Sequence, residues 1–179
     1  MILAKCCHDM DIIRYLTGEK CQAVSSYGGL YFFNKEHAPK ESTEYCSDCP
    51  ITDCPFKAQK IYLSKEGDFF ANYFTTKEHT KENILHDLRH SQYDRCVFKC
   101  DNDVVDHQLT QMTFQNGVKA TLTMTAFTAD GGRIMKFYGT TGEVVLDETR
   151  DVIEVKPFGG EKRALGLSAL NESGYGHGG

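Results

Sequence analysis

Val104-Val105-Asp106-His107-Gln108-Leu109-Thr110-Gln111-Met112-Thr113-Phe114-Gln115-Asn116-Gly117-Val118-Lys119-Ala120-Thr121-Leu122-Thr123-Met124-Thr125-Ala126-Phe127-Thr128 is the stretch on which the fold class turns. Its apolar residues recur with a period of two, and Asn116-Gly117 stands where a tight turn would join two antiparallel strands. In the second run Val118, Ala120, Leu122, Met124 and Ala126 face one way, while Lys119, Thr121, Thr123, Thr125 and Phe127 face the other. One face is therefore packed and the other is a threonine-lined, partly wet surface. After Gly131-Gly132 the same period continues through Arg133–Tyr138, Glu143–Leu146 and Val152–Lys156, which predicts an antiparallel meander.

Upstream of this stretch the period is helical. His8 to Gly18 predicts a helix: Met10, Ile13 and Leu16 recur at three-residue spacing, and Gly18 sits where a left-handed C-cap would stand. Gln22–Phe33 predicts a strand bent at Gly28-Gly29. Residues 34–56 are polar and irregular. Phe56–Leu63 predicts a short helix, and Lys81–Ser91 a longer one opened by Thr80 as N-cap with Asn83 at its third position. Helices gathered ahead of a meander predict an α+β fold, an open, mainly antiparallel β-sheet with helices packed on one face.

The 179 residues suit one domain with a core of its own. With 25 acidic against 20 basic residues the net charge is −5, which argues against a nucleic-acid surface. No apolar run reaches the ~18 residues of a membrane span. The start Met1-Ile2-Leu3-Ala4-Lys5 is not a signal peptide, so a cytoplasmic setting is expected, with the 8 cysteines as reduced thiols or metal ligands.

Three groups of residues could carry chemistry. Lys5, His8 and Asp11 lie at helical spacing, and the dipole at a helix N-terminus keeps an imidazole neutral and available as a base; an amphipathic helix capping its own first turn explains the same residues. Cys46-x2-Cys49-x4-Cys54 has spacing suited to tetrahedral zinc. Its fourth ligand would come from Cys21, Cys96, Cys100 or His37, and the Cys96-x3-Cys100 pair could supply it, giving Cys46, Cys49, Cys54 and Cys100 as a candidate set. Buried free thiols or a disulfide are the simpler alternatives. Asp101-Asn102-Asp103 with Asp106 and His107 lacks the glycine and the bidentate glutamate of a calcium loop; a turn placing Asp106 or His107 on the wet face fits better. No glycine-rich dinucleotide motif, P-loop or nucleophile elbow is present.

Taken in order, four segments resemble one family. Lys5-Cys6-Cys7-His8-Asp9-Met10-Asp11 is similar to the H-D-x-D helix that opens the C-terminal domain of the Gfo/Idh/MocA oxidoreductases. Arg95-Cys96-Val97 through Asp101–Gln108, with Phe114-Gln115-Asn116-Gly117, resembles a cysteine-rich branch of that family. Gly139-Thr140-Thr141-Gly142-Glu143 resembles its G-T-x-G-E turn, and Gly176-His177-Gly178-Gly179 its G-H-G-G segment. The resemblance implies that residues 1–179 are a single domain of a larger enzyme, without its N-terminal NAD(P)-binding Rossmann domain and a final helix. It implies hydride transfer between NAD or NADP and a sugar, cyclitol or other polyol, and a homo-oligomer formed through the sheet face. It further implies His8 as the base, and beside it the residues themselves suggest Lys5 as a catalytic contact to the substrate oxygen and Asp11 and His107 as substrate-binding residues. Ala4 stands where the family has an aspartate. The alternative is a non-catalytic, zinc-stabilised β-sheet interaction module.

Overall fold

The structure is a computed structural model that describes residues 6–65 and 67–170. It is α+β, with two antiparallel sheets where the sequence predicts one. The chain divides into two compact units: Met1–Glu19 together with Thr125–Gly179, and Lys20–Met124.

In the Lys20–Met124 unit, β1 (Cys21–Gly29), β2 (His107–Phe114) and β3 (Lys119–Thr125) form a three-stranded sheet in the order β1-β2-β3. Strands β1 and β2 are antiparallel, with Gly29 opposite His107 and Val24 opposite Met112. The alternation in β2 buries Thr110, Met112 and Phe114 and leaves Leu109 and Gln111 exposed. Met124 is buried on β3, as the pattern predicts. The turn between them differs from a two-residue Asn-Gly hairpin, which requires positive φ at both central residues. Here Gly117 alone has φ of +87°, and its N–H donates to the Phe114 carbonyl at 2.9 Å. The Phe114 N–H donates to the Val118 carbonyl, so the loop holds three residues and ends in a left-handed glycine.

Between β1 and β2 lie α2 (Ala58–Tyr62), α3 (Asp68–Ala71) and α4 (Lys81–Arg89). The Thr80 hydroxyl accepts the Asn83 N–H at 3.2 Å, the cap the sequence predicts. Helix α4 buries Ile84 and Leu88, and Leu88 packs with Cys46, Ala58, Tyr62 and Phe74. Phe32, Phe33, Phe56 and Phe98 form a second cluster with ring centroids 5.2 to 6.1 Å apart.

In the other unit, α1 (Cys7–Thr17) ends at Gly18, whose φ of +70° directs its N–H to the carbonyls of Arg14 and Tyr15. Strands β4 (Ile134–Tyr138), β5 (Gly142–Asp147), β6 (Val152–Pro157) and β7 (Arg163–Gly166) form an antiparallel meander in sequence order. Strand β7 was not foreseen. Gly142 faces the β6 backbone so closely that a Cβ there would lie 2.6 Å from the Lys156 carbonyl oxygen. The period-two reading identified β4 to β6 and their meander but not the division into two sheets, because alternation records which face a residue occupies and not where one sheet ends. Arg133 Nε ties the sheet side of this unit to α1 through Asp9 at 2.5 Å.

No atom lies within 4 Å of a Cβ built on Gly117, so Gly117→Ala tests backbone strain alone. A destabilisation of about 1–2 kcal/mol in urea unfolding is expected from forcing a β-carbon into the left-handed region.

Candidate functional site

Asp106 precedes β2 and is almost wholly buried, its side chain 2 % exposed. Three successive backbone N–H groups donate to its carboxylate: Tyr31 at 3.0 Å, Phe32 at 2.7 Å and Phe33 at 3.2 Å. His107 Nδ1 lies 2.8 Å from its other oxygen. Burial alone would raise the pKa of this carboxyl, but the donations from Phe32, His107, Tyr31 and Phe33 outweigh it and hold the group well below the usual carboxylate range. The His107 ring that meets this carboxylate through Nδ1 is 45 % exposed. Tyr31 meets His107 edge to face at 6.4 Å and also approaches His37 at 5.7 Å. Together Tyr31, His37 and His107 bring three rings to one partly exposed surface. Sequence reading named His107 but missed that Asp106 orients it; adjacency in an Asp-His pair was the available signal.

Three of the four cysteines of the candidate metal set come together. Cys46, Cys49 and Cys54 line one cavity of about 20 Å³, and its fourth thiol is Cys96. An isolated antiparallel bridge between Tyr45 and Arg95, with the Cys96 N–H donating to the Glu44 carbonyl at 2.9 Å, carries Cys96 to that place. Cys100, Cys21 and His37 do not line the cavity. The Cys100 thiol is directed to the Val97 carbonyl, the Cys21 thiol to that of Ala23, and His37 Nδ1 to the Asn34 side chain.

The two members of the Cys46-x2-Cys49 pair differ in character. Burial pushes the Cys46 thiol up, against the favourable Ala58 N–H. At Cys49 burial acts in the same direction but is outweighed by the N–H groups of Ile51 and Thr43, by the Lys57 charge and by the Thr43 hydroxyl, so its pKa is lowered. As the side chains stand, no group of three His, Cys, Asp or Glu among the described residues is arranged to hold a metal ion.

On α1, His8 and Asp11 are both exposed and lie three residues apart. Asp9, between them in the motif, is committed to Arg133. Lys5 lies outside the described residues. His8 and Asp11 belong to one compact unit and His107 to the other.

One further feature was not anticipated. Tyr73, Phe74 and Tyr93 line an open groove of about 610 Å³ with Lys77, Asp87 and His90. Tyr73 and Tyr93 stack at 6.4 Å, and the Lys77 ammonium holds the Asp87 carboxylate at 2.8 Å. The aromatic spacing Phe69-Phe70-x-x-Tyr73-Phe74 was the signal in the sequence.

Asp106→Asn is expected to cost roughly 2–3 kcal/mol in urea unfolding at neutral pH, because hydrogen bonds to a charge are lost from a buried site. A depressed folded pKa contributes stability above the unfolded value near ~4 and loses it as pH falls through the folded one. The difference between wild type and Asp106→Asn should therefore shrink as unfolding is measured from about pH 5 towards pH 2. A difference constant over that range would mean that the charge is not what holds the loop.

Comparison of the chain with family models, with curated proteins and with solved structures returned no match.

Proposed function

We propose that the chain is the C-terminal, substrate-binding and oligomerising domain of a cytoplasmic Gfo/Idh/MocA-type oxidoreductase. Its substrate is a sugar, cyclitol or related polyol. The observation that carries the reading is the condition of the H-D-x-D segment. Asp9 is held by Arg133, which anchors the helix, whereas His8 and Asp11 stay open to solvent on α1. That division of roles suits a helix that presents a base to a ligand.

The chain's own residues would bind and orient the substrate and move one proton. His8 removes the hydroxyl proton of the carbon being oxidised, the work of a general base. Asp11 would hold that imidazole or a neighbouring hydroxyl, and Lys5 would polarise the substrate oxygen. NAD or NADP, when bound, accepts or gives the hydride. No glycine-rich strand–turn–helix in this chain fits a dinucleotide, so that part of the chemistry is assigned to a separate Rossmann domain. Oligomerisation is supported by the apolar surface of the meander, where Ile134 is 69 % and Tyr138 79 % exposed on edge strand β4.

The test is steady-state turnover by the enzyme that includes the nucleotide-binding domain, over a panel of polyols with NAD and NADP. His8→Asn should lower kcat by about 10²-fold or more, the usual contribution of a general base, with a small change in KM. Unchanged rates would remove His8 from catalysis. An enzyme inert towards the whole panel, with intact oligomers, would favour the interaction module instead.

A further inference from the structure

The cysteine cavity is independent of that catalytic reading. Its four thiols come from separate parts of the chain. Cys46 and Cys49 flank a single 3-10 turn, Cys54 follows after a tight polar loop, and Cys96 arrives from the far side of α4 on the Tyr45–Arg95 bridge. A cavity of about 20 Å³ has room for one ion or one water and no organic ligand. All four cysteines are free thiols rather than disulfide partners.

From this convergence we propose that Cys46, Cys49, Cys54 and Cys96 bind one zinc ion as a structural tetrathiolate site that fixes the irregular segment 34–57 to the segment after α4. Binding exchanges four thiol protons for four zinc–sulfur bonds of about 2.3 Å, and no electrons move. Each cysteine turns its sulfur about one χ1 bond, so thiols that already line a common cavity close on an ion by rotamer changes.

The surroundings suit the charge that results. A tetrathiolate zinc centre carries two net negative charges. Lys57 lies on the cavity wall, with Nζ donating to the Cys49 carbonyl at 2.8 Å and the Ile51 carbonyl at 2.9 Å. The Ala58 N–H faces Cys46, and the N–H groups of Ile51 and Thr43 face Cys49. Backbone donors to thiolate sulfur and a nearby ammonium stabilise such a centre from its outer shell. The neighbouring carboxylate, Asp94, accepts the Ser47 N–H through Oδ1 at 3.0 Å, while its buried Oδ2 has no hydrogen-bond partner. Four sulfur ligands in tetrahedral disposition select zinc, or iron, over the hard cations.

Metal analysis of the chain purified without chelator tests the site and needs no enzymatic activity, so its outcome is separate from that of the oxidoreductase reading. About one equivalent of zinc per chain is expected. Cys96→Ser should reduce it to less than about 0.1 equivalent, whereas Cys100→Ser and Cys21→Ser should retain it. Should Cys96→Ser fail to fold, replacement of zinc by cobalt in the wild-type chain gives a second readout. The intense visible bands of tetrahedral thiolate cobalt, with four thiols shielded from alkylation until chelator is added, support the site. The proposal is overturned by less than a tenth of an equivalent of zinc with no such cobalt spectrum, or by iron in its place. A disulfide among the four cysteines in anaerobically prepared protein, or Cys100→Ser losing metal as fully as Cys96→Ser, overturns it equally.

Discussion

A buried carboxylate, Asp106, holds the N–H groups of three consecutive residues, and the Lys20–Met124 unit is organised around that contact. Residues 30–57 form almost no regular secondary structure, yet their backbone groups must be satisfied wherever water is excluded. Side chains do this work. Asp106 accepts from Tyr31, Phe32 and Phe33, Asp94 from Ser47, Lys57 donates to the carbonyls of Cys49 and Ile51, and Lys99 donates to that of Ser42. An ionised group on a rigid strand end is well suited to the task, since charge-assisted hydrogen bonds are about twice as strong as neutral ones.

The Asp106 contact also sets the packing next to it. By fixing the backbone at residues 31–33 it aims Phe32 and Phe33 at Phe56 and Phe98. Phe56 and Phe98 line the thiol cavity as well. On its other side the same carboxylate meets His107 Nδ1 at 2.8 Å, with Tyr31 edge to face against that ring. One buried charge thus couples the shape of the cysteine loop to the presentation of an exposed imidazole.

Legibility in the sequence followed the range of the interaction. Helix α4 with its Thr80 cap, the Gly18 stop of α1 and strands β1 to β6 were readable, because periodicity and capping act within a few residues. The separation into two sheets was not, since strand partners are chosen by long-range pairing that alternation does not encode. Strand β7 escaped because Arg163-Ala164-Leu165-Gly166 is short and mostly exposed, with little apolar contrast. The Cys46-x2-Cys49-x4-Cys54 run was visible as a group, but the choice between Cys96 and Cys100 depended on a single bridge between residues 45 and 95. Asp106 as anchor of a loop 73 to 75 residues away carries no local signature at all.

The acidic excess of the chain acquires a specific meaning from these contacts. Asp9 and Glu148 both address Arg133. Asp147 accepts from Thr149 and Arg150 in the turn after β5, and Asp151, left-handed with φ of +52°, accepts from the Ser168 N–H and hydroxyl. Asp87 and Asp101 face Lys77 and Arg95. With Asp94 and Asp106, these carboxylates act as fasteners for turns, loops and helix ends, and their pairing withdraws them from chemistry with a ligand. Acidic residues in such numbers would otherwise suggest a cation-binding or acid–base surface. The exposed His8 and Asp11 of α1 stand apart from this internal set, which is why the proposed reading rests on that helix rather than on the paired carboxylates.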